Sequence, residues 1–194
     1  MNKISKIPAV LFAGGKSSRM GRDKALLPYG GFSSLGEFGF RKLSNLFENV
    51  YISVKSDKFD FLAPLILDKF EESSTLVGIM SVFDSLKCDE FFALSVDMPC
   101  VEKKDILRLL DYANEHKESN AVIACSPRGI EPLFGVYRKG IYGIADLFLK
   151  ENDHRLTVLI KKAECKICEF ENEDIFLNIN YPDDYENALK LIKS

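Results

Sequence analysis

The sequence predicts an α/β protein built in three layers, a mostly parallel sheet with helices on both faces. Short apolar runs and amphipathic segments alternate through at least the first 116 residues, the pattern of successive βαβ units. The first of these runs is continuous in its hydrophobicity, as expected of a strand covered on both sides. No linker, internal repeat or low-complexity segment interrupts the 194 residues, so a single domain spanning 1–194 is expected.

The elements follow in order. "IPAVLFA" (7–13) reads as a buried parallel strand. Ser34 and Glu37 form a capping-box pattern, after which Leu35, Phe38, Leu43, Leu46 and Phe47 fall on one helical face. Gly36 and Gly39 weaken that helix and leave its start open. "VYISV" (50–54) and "PLIL" (64–67) are the next strands, the latter ending at Asp68, and 78–86 suits a short helix. "FFALSV" (91–96) is a fourth strand, stopped by Asp97-Met98-Pro99. Ile106, Leu109, Leu110 and Ala113 repeat at helical spacing. "AVIACS" (121–126) and "LFGVY" (133–137) are further strands, 141–150 is helical, and "ECKICEF" is strand-like. The last helix has Pro182 near its start, Asp183 and Asp184 in its first turn, and Lys190 near its end.

Composition narrows the function. Apolar residues make up 46% and charged residues 28% of the chain, the balance of a soluble globular protein. A net charge of −3 argues against a general binder of nucleic acid or membrane surface. No apolar run approaches the ~20 residues of a spanning helix. The N-terminal run is too short for a signal peptide and ends in a basic glycine loop, so a cytoplasmic protein is expected. Cys88, Cys100, Cys125, Cys165 and Cys168 are odd in number and scattered, which suggests free thiols. Cys165 and Cys168 have C-x-x-C spacing, but no second pair accompanies them and the only histidines are His116 and His154.

The chemistry centres on "AVLFAGGKSSRMGRDKALL" (9–27). It is not a Walker A loop, because Val10, inside the strand, stands where the first glycine would be. The G-x-G-x-x-G dinucleotide spacing is absent as well. The logic of phosphate binding remains. Gly14 and Gly15 let backbone N–H groups face a ligand directly after a buried strand. Lys16, Arg19, Arg22 and Lys24 against Asp23 give residues 16–24 a local charge of +3. A solvated charge run is the plain alternative, and the double glycine favours an anion site. Gly14, Gly15, Ser53, Asp68 and Asp97 all fall at predicted strand ends, where open parallel sheets bind ligands, so they are expected to line one crevice.

This stretch resembles the signature of nucleotidyltransferases with a GT-A-like, Rossmann-like fold, and is most similar to the molybdenum cofactor guanylyltransferases. Ala13, Gly14, Gly15, Ser17, Arg19, Met20, Gly21, Asp23 and Lys24 match, with Phe12 where leucine is usual. Asp68 with Gly78 in "STLVG", Asp97 in "LSVDMPC", "EPLFGVY", and Asn178, Asn180 and Pro182 in "LNINYPDDYENA" continue the resemblance in the same order. Two further departures stand out: "STLVG" lacks the usual proline, and Ser53 replaces an asparagine.

The resemblance implies transfer of GMP from GTP to the terminal phosphate of molybdopterin, bare or molybdenum-bound, with loss of pyrophosphate. It implies Mg²⁺ held by Asp97, with a cap on the following turn as that residue's plainer role. Lys24 would lie against the GTP phosphates or the base edge, and Arg19 would fork to the leaving pyrophosphate. Phe12, Ala13, Gly14, Gly15, Ser53, Asp68 and Gly78 would surround the nucleotide, and Asp68 could accept from guanine N1 and N2. Asn178 and Asn180 would face the pterin, although Asn180 could instead cap the last helix. Arg155 would reach the acceptor phosphate or simply lie on the surface. GTP and molybdopterin are the implied partners, with transient contacts to molybdenum-insertion proteins and recipient molybdoenzymes. A related cytidylyltransferase or sugar-phosphate nucleotidyltransferase, and a non-catalytic nucleotide or molybdopterin carrier, are the competing expectations.

Overall fold

A computed structural model describes residues 3–15, 20–68 and 74–192 of the chain. Seven strands form one sheet in the order β3-β2-β1-β4-β6-β5-β7. They are β1 (Ala9–Phe12), β2 (Val50–Val54), β3 (Leu65–Leu67), β4 (Glu90–Ser95), β5 (Ala121–Ser126), β6 (Gly129–Arg138) and β7 (Lys166–Glu169). The sheet is parallel except for β6, which runs antiparallel to both β4 and β5. The helices are α1 (Leu35–Leu46), α2 (Thr75–Leu86), α3 (Lys103–Glu115), α4 (Tyr142–Lys150), α5 (Leu156–Lys162) and α6 (Pro182–Ile192).

The three layers follow from side-chain alternation along the central strands. Ala9 and Leu11 of β1, with Phe92 and Leu94 of β4, pack into the cluster covered by α1, α3 and α6. Val10 and Phe12, with Phe91 and Ala93, turn to the opposite cluster under α2, α4 and α5. Both faces are apolar, which explains why the sequence shows unbroken runs. Cys165 packs against the second cluster and Cys168 lies in the first, so the two thiols face away from each other across the sheet. All five cysteines are free thiols. Among the described residues no helix is long and apolar enough to cross a membrane.

Several local expectations are refined. Ser34 caps α1 by accepting from the Glu37 N–H at 3.1 Å, but the Glu37 carboxylate turns to the N–H and hydroxyl of Ser33 rather than to Ser34. The helix therefore starts where the cap predicts, despite its glycines. Gly36 and Gly39 are there for close packing: a Cβ on Gly36 would lie 2.3 Å from the Phe59 ring, and one on Gly39 would lie 2.9 Å from Leu11. Helix α2 begins at Thr75, earlier than the expected 78, because Ser74 caps it by accepting from the Val77 N–H at 3.2 Å. Helix α5 was not anticipated, since its seven residues are too few to display a helical period.

Candidate active site

Strand order reverses between β1 and β4, and crevices form at the carboxyl ends of strands at such a switch point. Phe12 is paired with Ser53 of β2 on one side and with Ser95 of β4 on the other, so the segments that follow these three strands emerge together. The Ala13 N–H donates to the Ser53 carbonyl at 2.9 Å and holds the exit of β1 against β2. Gly15 has φ of +137°, and a Cβ there would meet nothing within 4 Å. Backbone conformation, rather than crowding, is what calls for glycine at that turn.

Phe12, Gly14, Gly15, Ser53, Asp68 and Gly78 line one cleft of about 200 Å³. Ser74, Thr75 and Leu133 complete its wall. Gly78 belongs to the first turns of α2. A Cβ at this position would lie 3.2 Å from the Phe12 ring and 3.4 Å from the Ser53 hydroxyl, so glycine leaves room for the phenylalanine that replaces leucine in the motif. Asp68 follows β3 and is half-buried; burial raises its carboxyl above the ordinary value, with Lys55 opposing.

Beside this cleft, charged side chains gather around the end of β4. The Lys24 ammonium donates to the Asp97 carboxylate and, at 3.3 Å, to Asn180 Oδ1. Lys24 sits in a single 3-10 turn started by Asp23, whose Oδ1 accepts from the Ala25 N–H at 3.0 Å. The Ile179 N–H donates to the Asp97 carbonyl at 3.0 Å and lays the 178–180 segment along the loop. Asn180 does not cap α6. Its side chain goes to Lys24, and Asp184 takes the cap by accepting from the N–H groups of Asn180 and Tyr181. The Asp97 carboxylate likewise goes to Lys24.

Asn178 donates from Nδ2 to Glu131 at 3.5 Å, and Glu131 also accepts from the Ser126 hydroxyl at 3.0 Å. Burial raises the Glu131 carboxyl, and the negative charge of Asp97 adds to the effect. Glu131 reaches this place through a β-bulge. Ile123 pairs with Gly135 but Ala124 pairs with Glu131, so β6 carries extra residues opposite β5, of which Leu133 lines the cleft while Phe134 stays paired to Leu94 of β4 and buried in the first cluster. Tyr137, fully buried, donates its hydroxyl to the Pro132 carbonyl at 2.5 Å and pins the bulge.

Two expected residues stand apart. Arg19 lies outside the described residues, as do Lys16 and Ser17. Arg155 is not gathered with Asn178 and Asn180; it stands before α5 with its guanidinium forked to Asp153 at 2.7 and 2.9 Å. Its neighbour His154 meets the Ser74 hydroxyl at 3.0 Å, which places this loop against the cap of α2. Sequence reasoning missed Ser74, Thr75, Glu131 and Lys58. Ser74 was recognisable as a serine three residues before Val77 ahead of an apolar run. Lys58 and Glu131 carried no local signal.

Comparison with known proteins bears on this geometry. The model of the MobA-like NTP transferase domain family matches residues 9–166. The chain belongs to that family. It is 36% identical over 193 residues to a molybdenum cofactor guanylyltransferase of Campylobacter jejuni subsp. doylei, covering 98% of this chain and 100% of that one. A protein of the same name from Helicobacter pylori strain G27 is 35% identical over 196 residues, with 98% and 95% covered. Among solved structures, the molybdopterin-guanine dinucleotide biosynthesis protein A of Archaeoglobus fulgidus superposes with a TM-score of 0.80 at 20% identity, covering 96% of this chain and 99% of that one. This last likeness speaks to the fold, and it agrees with the Rossmann-like, three-layer architecture.

Proposed function

We propose that the protein transfers GMP from GTP to the terminal phosphate of molybdopterin, bare or molybdenum-bound, releasing pyrophosphate, with the chain acting as one domain. The observation that carries this reading is the meeting, at the switch point, of a glycine-lined cleft with the Lys24–Asp97–Asn180 cluster. The near full-length similarity to proteins named for this activity supports the choice of substrates.

In this reaction an acceptor phosphate oxygen forms a bond to the α-phosphorus of GTP. The bond from that phosphorus to pyrophosphate breaks, and its electron pair leaves with pyrophosphate. No protein nucleophile is needed, so the chain's task is alignment and charge stabilisation. The glycine loop presents backbone N–H groups to the phosphates. Asp68, at the far end of the cleft from the charged cluster, can accept from guanine N1 and N2. Lys24, held in place by Asp97 and Asn180, can share its ammonium with phosphate oxygens, and Arg19 can fork to the leaving pyrophosphate. Asn178 and Asn180 face the acceptor. Arg155 reaches the acceptor phosphate only by exchanging the Asp153 carboxylate for it.

The donor set suits Mg²⁺. Asp97 offers a hard carboxylate oxygen, and for the ion to take it the Lys24 ammonium would pass from that carboxylate to phosphate oxygens. Bound there, Mg²⁺ would neutralise charge on the transferring and leaving phosphates. Molybdenum-insertion proteins and recipient molybdoenzymes are the partners such a product requires.

The test is isothermal titration of GTP, CTP and ATP with Mg²⁺ into the wild type and an Asp97→Ala variant, followed by pyrophosphate release with molybdopterin. Selective GTP binding, weakened at least about tenfold by the substitution, is expected. A preference for CTP would make the protein a cytidylyltransferase, and GTP binding without turnover would make it a carrier.

A further inference from the structure

Lys58 lies outside the cleft lining, on the segment that follows β2, yet its ammonium bonds both flanks of the glycine loop. It donates to the Ala13 carbonyl at 2.8 Å, immediately before Gly14 and Gly15. It donates again to Asp23 Oδ2 at 2.6 Å, immediately before Lys24. The other oxygen of Asp23 starts the turn that carries Lys24. We propose that Lys58 is a positioning residue that closes the base of the nucleotide loop, fixing Gly14 and Gly15 relative to Lys24 before a triphosphate arrives.

An exposed ion pair would be a poor candidate, because solvent and salt leave little of its attraction. This one differs in two respects. The Lys58 and Asp23 side chains retain 19% and 32% of their exposure, so both are partly withdrawn from water. The ammonium also has a main-chain acceptor, and charge-assisted bonds of this length are the stronger kind. The two anchors stand ten residues apart in sequence, and neither neighbours Lys58, so a single side chain ties together two points of the chain that are both distant from it. A loop ordered beforehand spares the nucleotide that ordering cost when it binds.

The inference rests on the nucleotide reading of the cleft, and its test separates the two. Lys58→Met, Lys58→Arg, Asp23→Asn and the Lys58→Met/Asp23→Asn pair are titrated with GTP and Mg²⁺, and KM is measured for GTP and for the acceptor. Lys58→Met is expected to bind GTP about 10- to 100-fold more weakly, because both bonds that tie the flanks of the loop are lost. KM for GTP rises while KM for the acceptor stays within about twofold. Lys58→Arg recovers most of the affinity, and the double variant binds no worse than Lys58→Met alone. A residue that only supported folding would lower the melting temperature and leave the affinity of the folded molecules unchanged. GTP affinity in Lys58→Met within about twofold of wild type would overturn the proposal. If the wild type itself binds no GTP, the nucleotide reading falls, and amide hydrogen exchange over residues 13–25 without ligand still decides the role of Lys58. Faster exchange in both single variants is expected, and unchanged exchange would overturn it.

Discussion

Replacing Lys42 tests how the loop after Asp97 is held. Lys42 lies on α1 and donates to the carbonyls of Pro99 and Val101 at 3.0 and 2.9 Å. The residue keeps some exposure where it borders a cavity of about 550 Å³, but its ammonium sits among protein atoms. Burial pulls its pKa from 10.5 to about 8, against opposing pulls from Cys100, Asp105 and Glu102. Between about pH 7 and about pH 9.5 the folded protein gives up this proton while the unfolded chain keeps most of its own. Stability therefore rises with pH across the window on account of this group. Each unit of displacement is about 1.4 kcal/mol, and integrating over the window gives a gain of about 2 kcal/mol from Lys42. The Lys42→Met variant lacks that gain. It also loses two hydrogen bonds, so its absolute stability at one pH is ambiguous, whereas the change with pH is clean. Burial raises the Cys100 thiol, and its charge couples to Lys42, so both proteins carry Cys100→Ala. Urea unfolding at the two pH values should show the Lys42 protein gaining about 2 kcal/mol relative to the methionine variant. Parallel profiles would refute the argument that burial, rather than the two carbonyls, governs this lysine.

Two further substitutions probe packing that shapes the site. Gly39→Ala gains about 1 kcal/mol of helix propensity. It also sets a methyl 2.9 Å from Leu11, a fully packed residue of β1, at a cost of about 1–3 kcal/mol. A lower urea midpoint is expected, and a midpoint raised by the full propensity gain would show that Leu11 can yield. Tyr137→Phe removes the buried bond to Pro132 and should cost about 1–2 kcal/mol. Because Leu133 lines the cleft beside that bulge, GTP affinity should fall as well, and unchanged affinity would mean that the bulge holds its shape without the hydroxyl.

The legible part of the site was local. A continuous apolar run followed by two glycines marks Phe12 to Gly15, and an aspartate before proline at a strand end marks Asp97. What was not legible depends on partners far apart in sequence. Lys58 bonds Ala13 and Asp23, 45 and 35 residues away, and a lone lysine in a polar loop looks like any surface cation. The direction of β6 is also silent in "LFGVY", since an apolar run reads alike either way. The short link from β5 was the usable sign, because a parallel return needs a crossover of about a dozen residues or more. The bulge that aims Glu131 and Leu133 depends on register, which composition does not encode. Asn180 carried two compatible roles in sequence, and only the position of Asp184 separates them.

The seam between β1 and β4 bears on how the chain folds. Ala9 pairs with Phe92, so the central strand waits more than eighty residues for its second neighbour. Until β4 is made, β1 presents an apolar, unpaired edge, the kind that invites association with other chains. Contacts so distant in sequence form late and slowly, because a long loop must close before they contribute. The crevice opens at that same seam. A growing polypeptide that ends short of β4 has the glycines and Asp68 but not Asp97, so the pairing of β4 with β1 is also the step that brings the partner of Lys24 to the site.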